Sequence, residues 1–257
     1  MNLLRIFIAL TTLAVTGCAT HANNPSDPLE PFNRGVYKFN DTLDKAVAKP
    51  VAQGYNKVMP VTGKILVTNF FSNLNDVIVT LNDLLQFKFT QGFSDGMRVL
   101  VNSTIGIGGL VDVASMHLEK HNEDFGQTLG YWGINSGPYL MLPVFGPSSF
   151  RDGIGLYADS YASPIYRGVP KIRTRNQLYL TNMINRRAQL LADEKIMEGA
   201  MLDRYAFIRD AYLQRRQSLV YDGNPPHDPY EDDSLDAEDE SVPSAPPATP
   251  SQPPAAP

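Results

Sequence analysis

Cys18 is the one residue whose surroundings specify a covalent reaction. It is the only cysteine in 257 residues, and it follows Val15-Thr16-Gly17 at the end of an apolar run from Ile6 to Val15. Such a run behind a single positive charge, Arg5, has the layout of a secretory signal peptide. It is too short to cross a hydrocarbon core of ~30 Å as a helix. Secreted proteins that use cysteine structurally carry an even number to pair. A lone thiol at the cleavage point is better explained as an acylation site. The sequence therefore predicts that residues 1–17 are removed and that Cys18 is lipidated. Each buried methylene adds ~0.8 kcal/mol, so several acyl chains hold such a protein firmly to a bilayer. Ala19 stands where an aspartate would signal retention at the inner membrane, which points to the outer membrane.

The other chemistry-bearing residues argue against an enzyme. Of four histidines, His21 and His227 fall in the flanks of the chain, leaving His117 and His121. Four residues apart, these two can share a helical face and ligate a metal. In His117-Leu118-Glu119-Lys120-His121, however, the glutamate does not directly follow the first histidine, as a zinc-protease helix requires. Surface histidines near a helix end are the plainer reading. A Ser-His-Asp hydrolase would have to draw on the same two. The glycines of Gly106-Ile107-Gly108-Gly109 lack the third glycine of a dinucleotide loop, and G-x-x-x-x-G-K-[ST] does not occur. No catalytic residue, metal or cofactor is expected.

The elements that must position any site read as helices. Phe32, Val36, Phe39, Leu43 and Val47 recur at spacings that place them on one face, and Pro50 marks the expected end of that helix. A second pattern holds Ile65, Phe70, Val77, Leu81 and Leu84-Leu85, and Asn69, Asn73 and Asn75 suggest a break into two shorter helices. A third covers Gly92 to Ser103, and the last two cover Asn176 to Ala192 and Ala200 to Val220. Between them, Gly133 to Pro147 is too rich in Gly and Pro for a regular helix and reads as a loop or short hairpin. The fold class is all-α or nearly so. None of these helices reads as long or apolar enough to span a membrane. Periodicity alone favours a soluble bundle that buries its apolar faces together, whereas the lipid anchor favours helices lying in the membrane plane with those faces toward acyl chains.

Charge divides the chain. The total is −5, yet nine acidic residues and no Lys or Arg lie from Asp222 onward, so residues 1–221 carry 18 acids against 22 bases. The body is mildly basic, too weakly and diffusely to indicate nucleic acid, which the compartment also excludes. The acidic Pro/Ala/Ser-rich tail, residues 222–257, has too little apolar content to offset ordering entropy and is expected to be disordered. Residues 18–26 read as a lipidated tether, and 27–221 as the domain.

The opening of that domain, Asp27-Pro28-Leu29-Glu30-Pro31-Phe32-Asn33-Arg34 with Tyr37, Phe39 and Asn40, resembles the MlaA (VacJ) lipoprotein family. Further similar blocks are Asn102 to Ala114, Glu123 to Asp152, Arg187 to Leu191 and Asp203 to Arg216. Together they cover most of 27–216 in family order. The stretch from Ser160 to Tyr179, with Arg167, Lys171, Arg173 and Arg175, departs most from the family pattern, as does the tail. The resemblance implies a ring of short amphipathic helices around a polar channel, embedded in the inner leaflet of the outer membrane. It further implies removal of phospholipid misplaced in the outer leaflet, delivery to a periplasmic MlaC-like carrier, and work beside a trimeric porin. Candidate channel or gate residues are then Phe32, Asn33, Tyr37, Phe39 and Asn40 on the first helix, Gly137, Pro138 and Tyr139 in the loop, and Arg151 and Asp152 after a capping Ser148 or Ser149. Plain packing for the first helix, and a salt bridge for Arg151 and Asp152, are the simpler alternatives. A lipoprotein that scaffolds the envelope without moving lipid is the alternative function.

Overall fold

Polar side chains fill the interior and apolar ones face outward, the reverse of a water-soluble domain. Among the described residues ten hydrophobic side chains are buried against nineteen polar or charged ones, including Arg98, Asp83, Asp95, Asn33 and Asn82. Asp and Arg are almost never fully buried in soluble proteins, whereas here Arg98 is 1% exposed and Phe93 72%. The computed structural model describes residues 25–197 and 203–226. Its helices are α1 (Glu30–Leu43), α2 (Lys49–Val58), α3 (Val61–Leu85), α4 (Phe89–Thr104), α5 (Phe125–Tyr131), α6 (Phe150–Ala162), α7 (Pro164–Gly168), α8 (Ile172–Met197) and α9 (Arg204–Val220). Strands β1 (Tyr139–Leu142) and β2 (Gly146–Ser149) form one antiparallel hairpin, with Tyr139 opposite Ser149 and Leu142 opposite Gly146.

Helix α4 shows the inversion most simply. Its buried positions are Gly92, Asp95, Arg98 and Asn102, spaced three, three and four apart along one face. Phe89, Phe93 and Leu100 are exposed. The soluble-bundle expectation is thus overturned: the apolar faces read from the sequence are not buried together. The polar face of α4 is paired inside. Arg98 donates to Leu118 O at 2.7 Å and to both Asp112 oxygens at 3.0 Å, and Asn102 donates to Asp112 at 2.8 Å. Lys120 closes onto the buried Asp76 of α3.

Four further expectations need correction. The first helix does not end at Pro50. A π-helical turn, Asp44–Ala48, carries α1 into α2 with helical backbone throughout, and Pro50 is accommodated directly after this widened turn. Asn69, Asn73 and Asn75 do not break the second pattern. Helix α3 is continuous for 25 residues, and Asn69 and Asn73 instead reach across to Leu110 O and Ser103 Oγ at 3.1 and 3.0 Å. The helices are also not all short. At ~1.5 Å per residue, α3 and α8 are each roughly 38 Å long. Apolarity is what they lack, and no helix among the described residues is long and apolar enough to cross a membrane. The last helix starts at Arg204, capped by Asp203, rather than at Ala200, which lies outside the described residues.

Packing closes a circuit: the hairpin contacts α1, α2 contacts α8, α8 contacts α3, α3 contacts α5, α5 contacts α9, and α9 returns to the hairpin. Helices α5 and α6 cross so closely that a Cβ on Gly155 would lie 2.3 Å from Gly126 N. Near this crossing sits a group of carboxylates. Burial first, then the charges of Asp95 and Glu123, push Asp83 up to about 7, and burial pushes Asp159 up to about 6.

The folded protein therefore binds protons in this cluster that the unfolded chain releases near pH ~4. Their contribution is fully present at low pH, declines as pH rises through the folded values, and is gone above about 7. Asp83→Asn, which mimics the protonated form, is expected to flatten the fall of thermal midpoint between pH 5 and 8 and to raise the midpoint at pH 8. Calorimetry across that range checks it. A variant that keeps the wild-type slope would show that Asp83 is charged throughout.

Candidate functional site

The β-hairpin is held by two asparagines of α1, seven residues and two helical turns apart. Asn33 is fully buried, donates to Tyr139 O at 3.0 Å and accepts from Met141 N at 2.9 Å. Asn40 donates to Leu142 O at 2.9 Å and accepts from Val144 N at 2.8 Å. An amide side chain carries a donor and an acceptor side by side, so each asparagine replaces one step of a neighbouring strand along β1. Tyr139 N completes this edge by donating to Ser26 O at 3.1 Å. The second amide hydrogen of Asn33 goes to the buried Asp27 at 2.8 Å, which also accepts from Tyr205 Oη and faces Arg209 at 3.5 Å. The residues before α1, the hairpin and α9 are thereby locked together.

Behind the hairpin lies the small apolar core, Tyr139, Met141 and Tyr205, packed by Val36, Tyr37, Ile208, Tyr212 and Leu213. Tyr139 meets Tyr205 and Tyr212 edge-on, with centroids 6.3 and 6.0 Å apart. Gly137 has φ +68°, a left-handed turn that brings Pro138 O onto Phe150 N at 3.2 Å.

In front of the hairpin opens a cavity of ≈ 580 Å³, within the range of small-ligand sites. Four elements line it at helical spacing. Helix α1 and its π-turn supply Tyr37, Asn40, Asp41 and Asp44; the hairpin supplies Met141, Gly146 and Pro147. Helix α8 supplies Arg187, Leu190 and Glu194, and α9 supplies Arg204, Phe207 and Ile208. Arg187 pairs with both oxygens of Asp44 at 2.6 and 2.7 Å and with Glu194 at 2.6 Å. Arg204 reaches Glu194 at 3.1 Å and Lys49 reaches it at 3.4 Å. Burial alone would raise the Glu194 carboxyl, but hydrogen bonds from Arg187 and Arg204 outweigh it and hold it at about 2. The wall is thus a fixed network of paired charges beside Leu190, Phe207 and Ile208.

The expected site residues divide. Tyr37 and Asn40 line the cavity, and Asn33 holds its hairpin wall. Phe32 and Phe39 project from α1 on the outside, each about half exposed. Gly137, Pro138 and Tyr139 lead into and begin β1, away from the lining. Arg151 and Asp152 are buried in a network joining α5, α6 and α9: Arg151 to Asp152 at 3.0 Å, Arg216 to Asp152 at 2.9 Å, Tyr212 to Asp152 at 2.7 Å. Ser149 caps α6 by accepting from Asp152 N at 3.1 Å. Cys18 lies outside the described residues. Sequence reasoning missed Asp41, Asp44, Arg187, Glu194 and Arg204 as lining. The i, i+3, i+7 spacing of Arg187, Leu190 and Glu194 was the available signal.

No group of three or more metal-ligating side chains occurs among the described residues. His121 Nδ1 lies 2.7 Å from Asp95 Oδ2. Against the expectation from sequence that no G-x-S-x-G elbow is present, Gly92-Phe93-Ser94-Asp95-Gly96 spells that hydrolase string. It lies within α4 rather than on a strand-to-helix turn, so Ser94 is not displayed as a nucleophile elbow requires.

A family profile described as MlaA lipoprotein matches residues 25–219. The intermembrane phospholipid transport system lipoprotein MlaA of Escherichia coli (strain K12) is 34% identical over 247 residues, spanning 90% of this chain and 96% of that protein. Its namesake from Haemophilus influenzae is 30% identical over 226 residues, spanning 83% and 89%. A solved structure reported as "Structural basis for maintenance of bacterial outer membrane lipid asymmetry" superposes with a TM-score of 0.67 at 33% identity, covering 76% of this chain and 99% of that one. With the profile spanning nearly the whole described body, the chain belongs to the MlaA lipoprotein family.

Proposed function

We propose that this protein is an outer-membrane lipoprotein that removes phospholipid misplaced in the outer leaflet and passes it through its cavity to a soluble periplasmic carrier. The observation that carries this reading is the pairing of an apolar exterior with a charged, internally satisfied cavity. A phospholipid cannot enter hydrocarbon headgroup-first, because its charges would lose their hydration at a cost of many kcal/mol. A wall of Arg187, Glu194, Arg204 and Asp44 replaces that hydration, while Leu190, Phe207 and Ile208 offer apolar surface to the first acyl carbons. The names of the relatives, an intermembrane phospholipid transport system lipoprotein, agree with this path.

The seat in the membrane follows from the same inversion. Exposed Phe32, Phe39, Val47 and Val51 on α1 and α2, Val61 and Ile65 on α3, and Phe89 and Phe93 on α4 form an apolar surface that water would penalise and acyl chains accept. The body then sits in the periplasmic leaflet, held additionally by lipid on Cys18, with a trimeric porin beside it. The protein offers a route and supplies no energy, so direction comes from leaflet imbalance or from the carrier downstream.

Deleting the gene should raise outer-leaflet phospholipid, and restoring it should return the level to normal. A deletion strain with normal asymmetry would leave only the scaffolding role. Arg187→Met should lower lipid transfer about tenfold, the size expected from losing ~1.4 kcal/mol of headgroup interaction, while helical circular dichroism stays near wild type. Wild-type transfer by this variant would remove the charged wall from the path. Cys18→Ala should leave the precursor uncleaved and absent from the outer-membrane fraction; normal maturation of this variant would refute the anchor.

A further inference from the structure

The most basic surface of the protein lies outside the cavity. From Ser160 to Ala192 the chain carries Arg167, Lys171, Arg173, Arg175, Arg186 and Arg187 and no acid. Arg187 is occupied by Asp44 and Glu194. Among the described residues, Arg167, Lys171, Arg173 and Arg175 form no ion pair. Two of them are nevertheless held in place. The Arg167 guanidinium lies 4.4 Å from the ring centre of Tyr161 and donates from Nε to Tyr161 O at 3.1 Å. Tyr161 and Tyr166 have centroids 5.2 Å apart, and Arg175 lies 4.7 Å from the ring centre of Tyr166. The result is a continuous stack, Arg167–Tyr161–Tyr166–Arg175, joining the end of α6, α7 and the first turn of α8.

An apolar stripe runs into this stack. Phe150, Ile154, Tyr157 and Tyr161 recur at four, three and four residues along α6, and all are exposed. Along one helix the surface therefore changes from phenylalanine and isoleucine to tyrosine and then to arginine. That is the order of environments from acyl chain to interface to headgroup phosphate. Stacking engages a guanidinium by its face and leaves in-plane N–H donors free, the groups that match phosphate oxygens in pairs. With no acid between Ser160 and Ala192 to receive an ammonium group, the stretch favours headgroups of net negative charge over zwitterionic ones.

We infer that the Arg167–Tyr161–Tyr166–Arg175 surface is a docking site for the phosphate of anionic phospholipid, such as phosphatidylglycerol, at the membrane face. Lys171 and Arg173 add to the positive field. The inference rests on the membrane seat proposed above but not on transport through the cavity. It places a headgroup-selective contact in the part of the chain that departs most from the family pattern.

The full lipoprotein, isolated from membranes in detergent, is mixed with equimolar phosphatidylglycerol and phosphatidylethanolamine, and bound lipid is counted by native mass spectrometry. The wild type is expected to retain phosphatidylglycerol severalfold over phosphatidylethanolamine, and to lose the preference at about 0.5 M salt, where screening is strong. Arg167→Gln with Arg175→Gln should bring the ratio near one with unchanged helical circular dichroism, whereas Arg215→Gln, at an exposed position of α9 outside the cavity lining, should leave the preference intact. A preference that survives salt, or survives the double substitution, overturns the assignment. So does a preference absent from the full chain that appears on truncation after Asp222, because the acidic tail of the same chain would then be the occupant. Complementation of the deletion strain is read separately. Failure of the wild type there, with lipid preference intact, sinks transport and leaves this site standing.

Discussion

In hydrocarbon a polar group has no solvent to fall back on, so every N–H, C=O and charge must be satisfied within the protein or hidden from the lipid. A helix satisfies its own backbone, but the free edge of a two-stranded hairpin does not. Here the exposed edge of β1 is closed by Asn33 and Asn40, whose amides supply the donors and acceptors that a third strand would have supplied. The hairpin can sit among apolar surfaces only because of this clamp. The clamp in turn requires both asparagines to point inward from α1, which leaves the preceding residues Phe32 and Phe39, about 100° round the helix, half exposed. One pairing requirement thus sets the rotation of α1, the position of the hairpin and the sidedness of the body.

The same constraint governs the other polar clusters. Arg98, Asp112 and Asn102 pair among themselves, as do Asp124, Asp152, Arg216 and Tyr212. Burying such groups costs more than burying leucine, and a soluble protein would gain by replacing them with apolar residues. In a body surrounded by lipid, helix association gains little from burying apolar surface, because acyl chains are as apolar as leucine. Hydrogen bonds and ion pairs therefore carry the specificity of packing. The buried charges are what the membrane seat proposed above would require of the packing.

Much of this was readable from the residues, and the unreadable part has an identifiable cause. Helical periodicity located α1, α3, α4, α8 and α9 but not α2 or α6, and the Gly/Pro density of 133–147 marked the hairpin, because both signals depend on neighbours in sequence. The direction in which an amphipathic face points does not. The stripe Phe32, Val36, Phe39, Leu43 has the same period whether it meets a protein core or a lipid, so the soluble-bundle reading was the natural one and was wrong. Likewise Asn69 and Asn73 look like helix breakers until the partners 41 and 30 residues away are known. The cavity wall was missed for the same reason: Arg187 and Asp44 are 143 residues apart, and neither is distinctive alone. Asn33, Tyr37 and Asn40 were found through their motif, but their work as a strand-edge clamp required the hairpin to be seen.

The length of α3 and α8 sharpens the functional argument. Each is long enough to cross a bilayer, yet each carries polar residues inward along its second half: Asn73, Asp76, Asn82 and Asp83 on α3, Asn185, Arg187 and Glu194 on α8. Helices built only to anchor a protein have no use for such faces. A continuous polar face is needed when something polar must be accommodated inside an apolar surround. The paired charges of the cavity suit that task better than unpaired ones would. An isolated arginine would hold a phosphate tightly and release it slowly, whereas Arg187, already shared between Asp44 and Glu194, can lend one hydrogen bond to a passing headgroup and recover it from its neighbours. A route for transfer needs a wall that solvates without trapping, and a balanced ion network provides that.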